Sequence, residues 1–260
     1  MNQIVSELRR FWSMREVYIA FVPTVVLSLV FSVMNVSVIN AVVTGDLESQ
    51  NLDPSLADKP ITDLLSEGYL GPVYQSAVIF IPITVAVLFH REYSYGDHEQ
   101  ILLFPRGLFA RRIGTMITHC VWSLVVSVLS AVCNYCVLLV LLHADARAEL
   151  SILTAAGVCL RVWVFAILFS LMALLVGALS QKLFASVVAL LLVFFISLSG
   201  VLNVVSPFLH NCLPLIGGKS FVFLKASEGP YSIAGSLGLL CAWIVVCAGI
   251  YLALAVGKRR

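Results

Sequence analysis

The sequence predicts an all-α integral membrane protein with six transmembrane helices, and three observations carry that prediction. Of 260 residues, 60% are hydrophobic and only 12% are charged, with a mean hydropathy of +1.01, far from the composition of soluble domains. The charges are clustered, which leaves apolar runs long enough to cross a bilayer, a task that takes about 20 helical residues. Those runs do not alternate in polarity, which excludes the roughly ten-residue strands of a membrane barrel.

Residues 1–16 place Ile4, Leu8, Phe11 and Trp12 on one helical face, with Glu7, Arg9, Arg10 and Arg15 around it. That pattern predicts an amphipathic helix lying in the membrane interface, with Trp12 at headgroup level. The first span, Val17 to Val43, is far longer than the apolar core of a secretory signal, about 7–15 residues. Residues 44–69 form an acidic loop, with Asp46, Glu48, Asp53, Asp58, Asp63 and Glu67 against Lys59. Within it Ile61, Leu64, Leu65 and Tyr69 are spaced for a short amphipathic helix.

The second span is Leu70 to Phe89, and a polar island, residues 90–112, follows it. Span three is Ile113 to Leu142, followed by a tight turn, His143 to Glu149. Span four lies within Leu150 to Leu179, and Ser180 to Lys182 turns the chain into span five, Leu183 to Val205. Residues 206–231 are semi-apolar and broken by Pro207, Pro214, Gly217, Gly218 and Pro230. Span six, Ser232 to Val256, precedes the basic tail Gly257 to Arg260. Without an internal repeat or a soluble insertion, residues 1–260 read as a single transmembrane domain.

Six spans put both termini on one side, and Lys and Arg choose that side. With the termini inside, the inner segments hold Arg9, Arg10, Arg15, Arg91, Arg106, Arg111, Arg112, Lys182, Lys258, Arg259 and Arg260. The outer segments hold Lys59, Arg147, Lys219 and Lys225, and Arg161 lies within an apolar run. Eleven against four predicts cytoplasmic termini, a cytoplasmic island at 90–112 and an acidic loop that faces outward.

Few residues suggest chemistry. Gly217-Gly218-Lys219-Ser220 resembles the end of a phosphate-binding loop, but Leu213 stands where that motif needs a glycine, and no strand precedes it. Of seven cysteines, six lie in apolar spans and behave as small hydrophobes. Cys133 and Cys136 have metal-motif spacing without a second ligand pair. His90, His98, His143 and His210 are scattered over both sides, and His119 is alone in span three. Glu92, Asp97 and Glu99 stand beside Arg91 and Arg106, which favours a charged surface over acid–base work. No catalytic, cofactor-binding or metal residue is assigned. No carboxylate lies inside a span, which argues against proton- or sodium-coupled transport. Arg161 is the one strong charge in an apolar run, suited either to snorkelling at the outer boundary or to a translocation path.

The island itself carries a helix signal. Asp97 can cap a helix with Gln100 three residues on, Ile101 to Phe104 follow, and Pro105 ends it. By this pattern alone it is a docking element or a solvated connector.

The segment Glu92-Tyr-Ser-Tyr-Gly96-Asp97-His-Glu99-Gln100-Ile101-Leu102-Leu-Phe-Pro105 resembles the Glu-x-x-x-Gly-Thr-Leu-Glu-Gln-Leu-Leu-x-x-Pro segment after the second span of type-2 permeases of ATP-binding-cassette exporters. The likeness is nearest the branch that includes daunorubicin-resistance and nodulation-factor export permeases. Asp97 and His98 depart from it, as do Arg106-Gly107 and Arg111-Arg112 downstream. The resemblance implies a coupling helix that docks on a cytoplasmic ATPase through Glu92, Gly96, Asp97, Glu99, Gln100, Leu102 and Pro105. It implies two permease subunits, alike or different, with ATP and magnesium held by the ATPase subunits and no cofactor on this chain. It also implies a re-entrant external gate from Pro207 to Gly229 and a path that would offer Tyr74, Gln75, Phe80, Phe194, Phe195 and Asn203, with Arg161 added by its charge, to an amphipathic or lipid-like cargo in a bacterial plasma membrane. The chain would not be an enzyme by itself, and its partners would be proteins and membrane lipid rather than nucleic acid. The alternative is an immunity or sensor protein whose acidic loop attracts an extracellular cationic peptide.

Overall fold

The computed structural model describes residues 2–48, 51–94 and 107–257, which are predominantly helical with no strand among them. Helix α1 (Asn2–Ser13) and the short α2 (Arg15–Ile19) meet at Met14, whose extended backbone makes the joint. Tyr18 Oη reaches back across it to the carbonyl of Trp12 at 2.8 Å. Then come α3 (Phe21–Thr44), α4 (Ile61–Ser94), α5 (Gly107–Leu141), α6 (Ala144–Ala148) and α7 (Ile152–Ser180). Helices α8 (Leu183–Ser199), α9 (Val201–Val205), α10 (Pro207–Cys212), α11 (Pro214–Gly217) and α12 (Lys219–Phe223) lead to α13 (Ile233–Gly257).

Among the described residues, five stretches are long and apolar enough to cross a membrane: Arg15–Thr44, Ile61–Glu92, Leu108–Leu141, Ile152–Ser180 and Ile233–Leu254. The protein is a multi-pass, all-α membrane protein. The expected fifth span differs from the single run Leu183 to Val205. Helix α8 has 17 residues, about 26 Å, slightly short of a hydrocarbon core of about 30 Å. Gly200 ends it with φ 68°, a left-handed backbone that glycine adopts without steric cost.

Helix α4 differs in the other direction. Its 34 residues make it about 51 Å long, because the amphipathic pattern at Ile61, Leu64, Leu65 and Tyr69 is its first turns rather than a separate helix. Leu64, Leu65 and Tyr69 are buried there. The acidic loop is thereby shortened, and Asp53 caps a 3-10 turn, Pro54–Asp58, by accepting from the Ser55 N–H at 2.9 Å.

The chain divides into two compact units. One comprises Phe21–Phe80 and Val125–Trp163. Lipid offers no hydrophobic drive between helices, so small residues and polar contacts hold such bundles. Thr24, Ser28 and Ser32 line one buried face of α3 at helical spacing. Ser32 Oγ donates to Asn134 Oδ1 at 2.6 Å, and Asn134 Nδ2 donates to the carbonyls of Gly68 and Tyr69 at 3.1 and 3.2 Å. A side chain on Gly68 would come within 2.9 Å of Ile39, so α3 and α4 meet there at glycine distance. Asn40 ties the end of α5 by accepting from the His143 N–H and donating to the Leu141 carbonyl.

The other unit comprises Met1–Ala20, Ile81–Leu124 and Val164–Arg260. Its core includes Phe11, Trp122, Phe165, Phe169 and Tyr251. Gly217 and Gly218, the remnant of the phosphate-loop pattern, are packing positions. A Cβ on Gly217 would lie 2.3 Å from the Asn211 carbonyl, and one on Gly218 would lie 2.5 Å from Phe165. Trp243 Nε1 donates to the Cys212 carbonyl at 2.8 Å and ties this broken segment to α13.

Candidate functional site

The amphipathic α1 packs against α5. Phe11, on its apolar face, has no exposed surface and packs on the ring of His119 in α5, with centroids 5.0 Å apart. Gly114, nearly a turn and a half before His119, leaves room for Glu7; a side chain there would come within 3.2 Å of it. The same docking brings Arg10 and Glu7 into the electrostatic neighbourhood of Glu92, together with Arg111.

Glu92 and Arg111 are the two buried charged side chains among the described residues, 6% and 7% exposed. Each stands where its helix disfavours it: Glu92 in the last turns of α4, Arg111 soon after the start of α5, against the polarity of the helix dipoles. Their placement is therefore stabilised by neighbours and not by local helix electrostatics.

They line a cleft of about 40 Å³ with Phe89, His90, Leu108, Arg112, Thr115, Gly177, Ala178, Gln181 and Tyr251. Four helices build it. Gly177 lets α7 approach α4, since a Cβ there would sit 2.7 Å from Phe89. Gln181 closes α7 through its N–H to the Gly177 carbonyl at 3.0 Å. It does so at φ 53°, a region that costs a non-glycine residue roughly 1–2 kcal/mol, so the turn holds the Gln181 side chain at the cleft against local preference. Arg112 lies over the Tyr251 ring, 5.1 Å from its centroid, and donates to the Tyr251 carbonyl. His90 Nε2 meets Ser186 Oγ at 2.9 Å, and that hydroxyl also meets Ser180 Oγ at 2.6 Å. The result is a polar, positively charged recess at the helix ends.

No protein-family model matches the sequence, and no curated protein is significantly similar to it. Function has to be argued from these residues.

Of the coupling residues expected from sequence, Glu92 is described, and it sits in the cleft wall. Gly96, Asp97, Glu99, Gln100, Leu102 and Pro105 lie outside the described residues. The expected path residues do not converge on one lining. Tyr74, Gln75 and Phe80 point about 100° to 140° apart around α4 at 100° per residue; Gln75 is exposed and the other two are half-buried. Phe194 packs on Phe169 with centroids 5.2 Å apart, while its neighbour Phe195 is 68% exposed. Asn203 is exposed on α9, beyond the break at Gly200. Arg161 is half-buried on α7 and folds its Nε back to the Gly157 carbonyl at 3.2 Å.

Sequence reasoning missed Arg10, Arg111, Arg112, Gln181 and Tyr251 as members of one site. A signal was present: an acid at the end of one helix and an arginine pair at the start of the next both oppose the helix dipole.

Proposed function

We propose that the chain is the membrane subunit of an ATP-driven exporter in a bacterial plasma membrane. It moves an amphipathic or lipid-like molecule outward by alternating access, with hydrolysis on a separate ATPase subunit. In this reading α8 and α9 make the fifth of six crossings, and both termini are cytoplasmic. Residues 90–112 then carry the coupling helix, and two permease subunits form the pathway.

The observation that supports this most is the place of Glu92. It opens the permease-like segment ending at Pro105, and its carboxylate is buried among charges from α1 and α5. A push on that segment from an ATPase would therefore reach α4, α5 and α1 together instead of dissipating in a loose connector.

The test is reconstitution with the ATPase encoded beside it. Glu99→Arg is expected to abolish stimulation of ATP hydrolysis while the variant still inserts. Undiminished stimulation would remove Glu99 from docking, and failure of any ATPase to co-purify with the wild-type chain would end the exporter reading.

A second reading has one observation behind it. The loop acids Asp46, Glu48, Asp53 and Asp58 are exposed, and the Ser55 N–H and hydroxyl hold the Asp53 carboxyl below its usual range, so that face is anionic at neutral pH. It suits an immunity or sensor protein that meets a cationic peptide. Peptide protection lost on deletion of residues 46–58, with export intact, would select it.

A further inference from the structure

The cleft contains a donor with nothing to donate to. Arg111 Nη1 is buried and makes no hydrogen bond, and a buried charged donor left unmatched is costly in a folded chain. Arg112 is not in the same position, because Tyr251 takes its guanidinium through both ring and carbonyl. Glu92 lies in the same lining, and Arg10 and Glu7 of α1 act on it electrostatically.

The recess has room for an acceptor to meet Arg111 Nη1. A cleft of about 40 Å³ exceeds the roughly 10–15 Å³ that a single water needs. Thr115 and Gln181 add neutral hydrogen-bonding groups to its wall, as an anion with several acceptor oxygens requires. The planar fork of an arginine fits a tetrahedral oxyanion through paired N–H groups. Recesses of this kind at the ends of membrane helices lie at headgroup depth and take lipid phosphates.

We propose that the cleft formed by the end of α4, the start of α5, the end of α7 and Tyr251 binds one phosphate monoanion, either a phospholipid headgroup or free phosphate, with Arg111 as its principal donor. Glu92 opposes Arg111 from the adjoining wall and keeps the site selective for a single negative charge. The site stands whether or not the chain moves a cargo, since it needs no ATPase.

Detergent-purified full-length chain is titrated with dioctanoyl-phosphatidylglycerol and, separately, with inorganic phosphate, following thermal stability and native mass. Wild type is expected to bind one phosphatidylglycerol. Arg111→Gln should weaken that binding by about tenfold or more, the usual scale for a charge-assisted contact, and Arg111→Lys should lie between. Ala178→Leu fills the recess and keeps every charge, so it decides the matter if Arg111→Gln does not fold; its binding should fall as well. Stabilisation by the lipid alone identifies a headgroup site, and stabilisation by both ligands identifies a phosphate site. Wild-type affinity in Ala178→Leu and in whichever Arg111 variants fold, or no binding by wild type, overturns the proposal.

Discussion

Asn134 is the place where a single side chain joins three helices, and its removal can be priced from the structure. It accepts from Ser32 of α3 at 2.6 Å and donates to the Gly68 and Tyr69 carbonyls of α4 at 3.1 and 3.2 Å. Interhelical hydrogen bonds in membrane proteins average about 0.6 kcal/mol each, so three make roughly 2 kcal/mol. That figure is a floor, because Pro72 has no N–H for the Gly68 carbonyl one turn before it, so Asn134→Ala leaves a buried acceptor without its donor; the Ser32 end fares better. Ser32 Oγ already lies 2.7 Å from the Ser28 carbonyl and can turn to it, a back-bond that serine readily makes within a helix. Asn134→Ala should therefore lose at least roughly 2 kcal/mol in reversible unfolding in mixed micelles, and Ser32→Ala should lose less. The double mutant isolates the Ser32 contact, with a coupling of about 0.6 kcal/mol. Additivity of the two substitutions would show that Ser32 does not bond Asn134. A neutral Asn134→Ala would refute the idea that polar contacts, rather than shape alone, hold this unit together.

Two further outcomes are expected. Gly218→Ala should lower the melting temperature by an amount corresponding to about 1–3 kcal/mol, because the new methyl would lie 2.6 Å from the Pro214 carbonyl and 2.5 Å from Phe165; Gly157→Ala, which meets nothing within 4 Å, should show no loss, and equal effects would contradict the packing account. Phe11→Ala removes the fully buried anchor of α1 from His119, a change that costs about 3–5 kcal/mol in a core, and should speed tryptic cleavage at Arg9, Arg10 and Arg15; an unchanged cleavage rate would mean that α1 is held by other contacts.

What the sequence made legible follows from where hydropathy is informative. Ser232 to Val256 agrees with α13 to within one residue at each end, and Ile113 to Leu142 with the C-terminal end of α5, which starts earlier at Gly107, because an apolar run of that length has few other fates. Rotation and continuity are different matters. The resemblance puts Tyr74, Gln75 and Phe80 on one path because they share the second span, yet membership of a span says nothing about which face of α4 each one takes. The apolar face of residues 1–16 suits lipid and protein equally, so Phe11 against His119 could not be told from Phe11 against acyl chains. Gly200 carried a usable signal, a glycine after seventeen apolar-rich residues, but hydropathy continues through Val201 to Val205 and hides the break. The cleft was the least legible feature, since its wall joins residues within 89–92 and 108–115 to Gly177, Ala178, Gln181 and Tyr251 from far along the chain.

The cleft also changes what the charge asymmetry means. Arg10, Arg111 and Arg112 count among the eleven cations that set the proposed orientation, as though all were equivalent labels for the cytoplasmic side. Their surroundings separate them: Arg111 is buried, Arg112 is engaged with Tyr251, and Arg9 is exposed. Orientation depends on the total, so an Arg111→Gln chain keeps ten inner cations against four outer ones and retains the same bias. Loss of function in that variant with insertion unchanged would therefore belong to the cleft and the helices it joins. An Arg9→Gln chain removes the same unit of charge without touching the recess, and the difference between the two variants separates a topological cation from one that the fold uses.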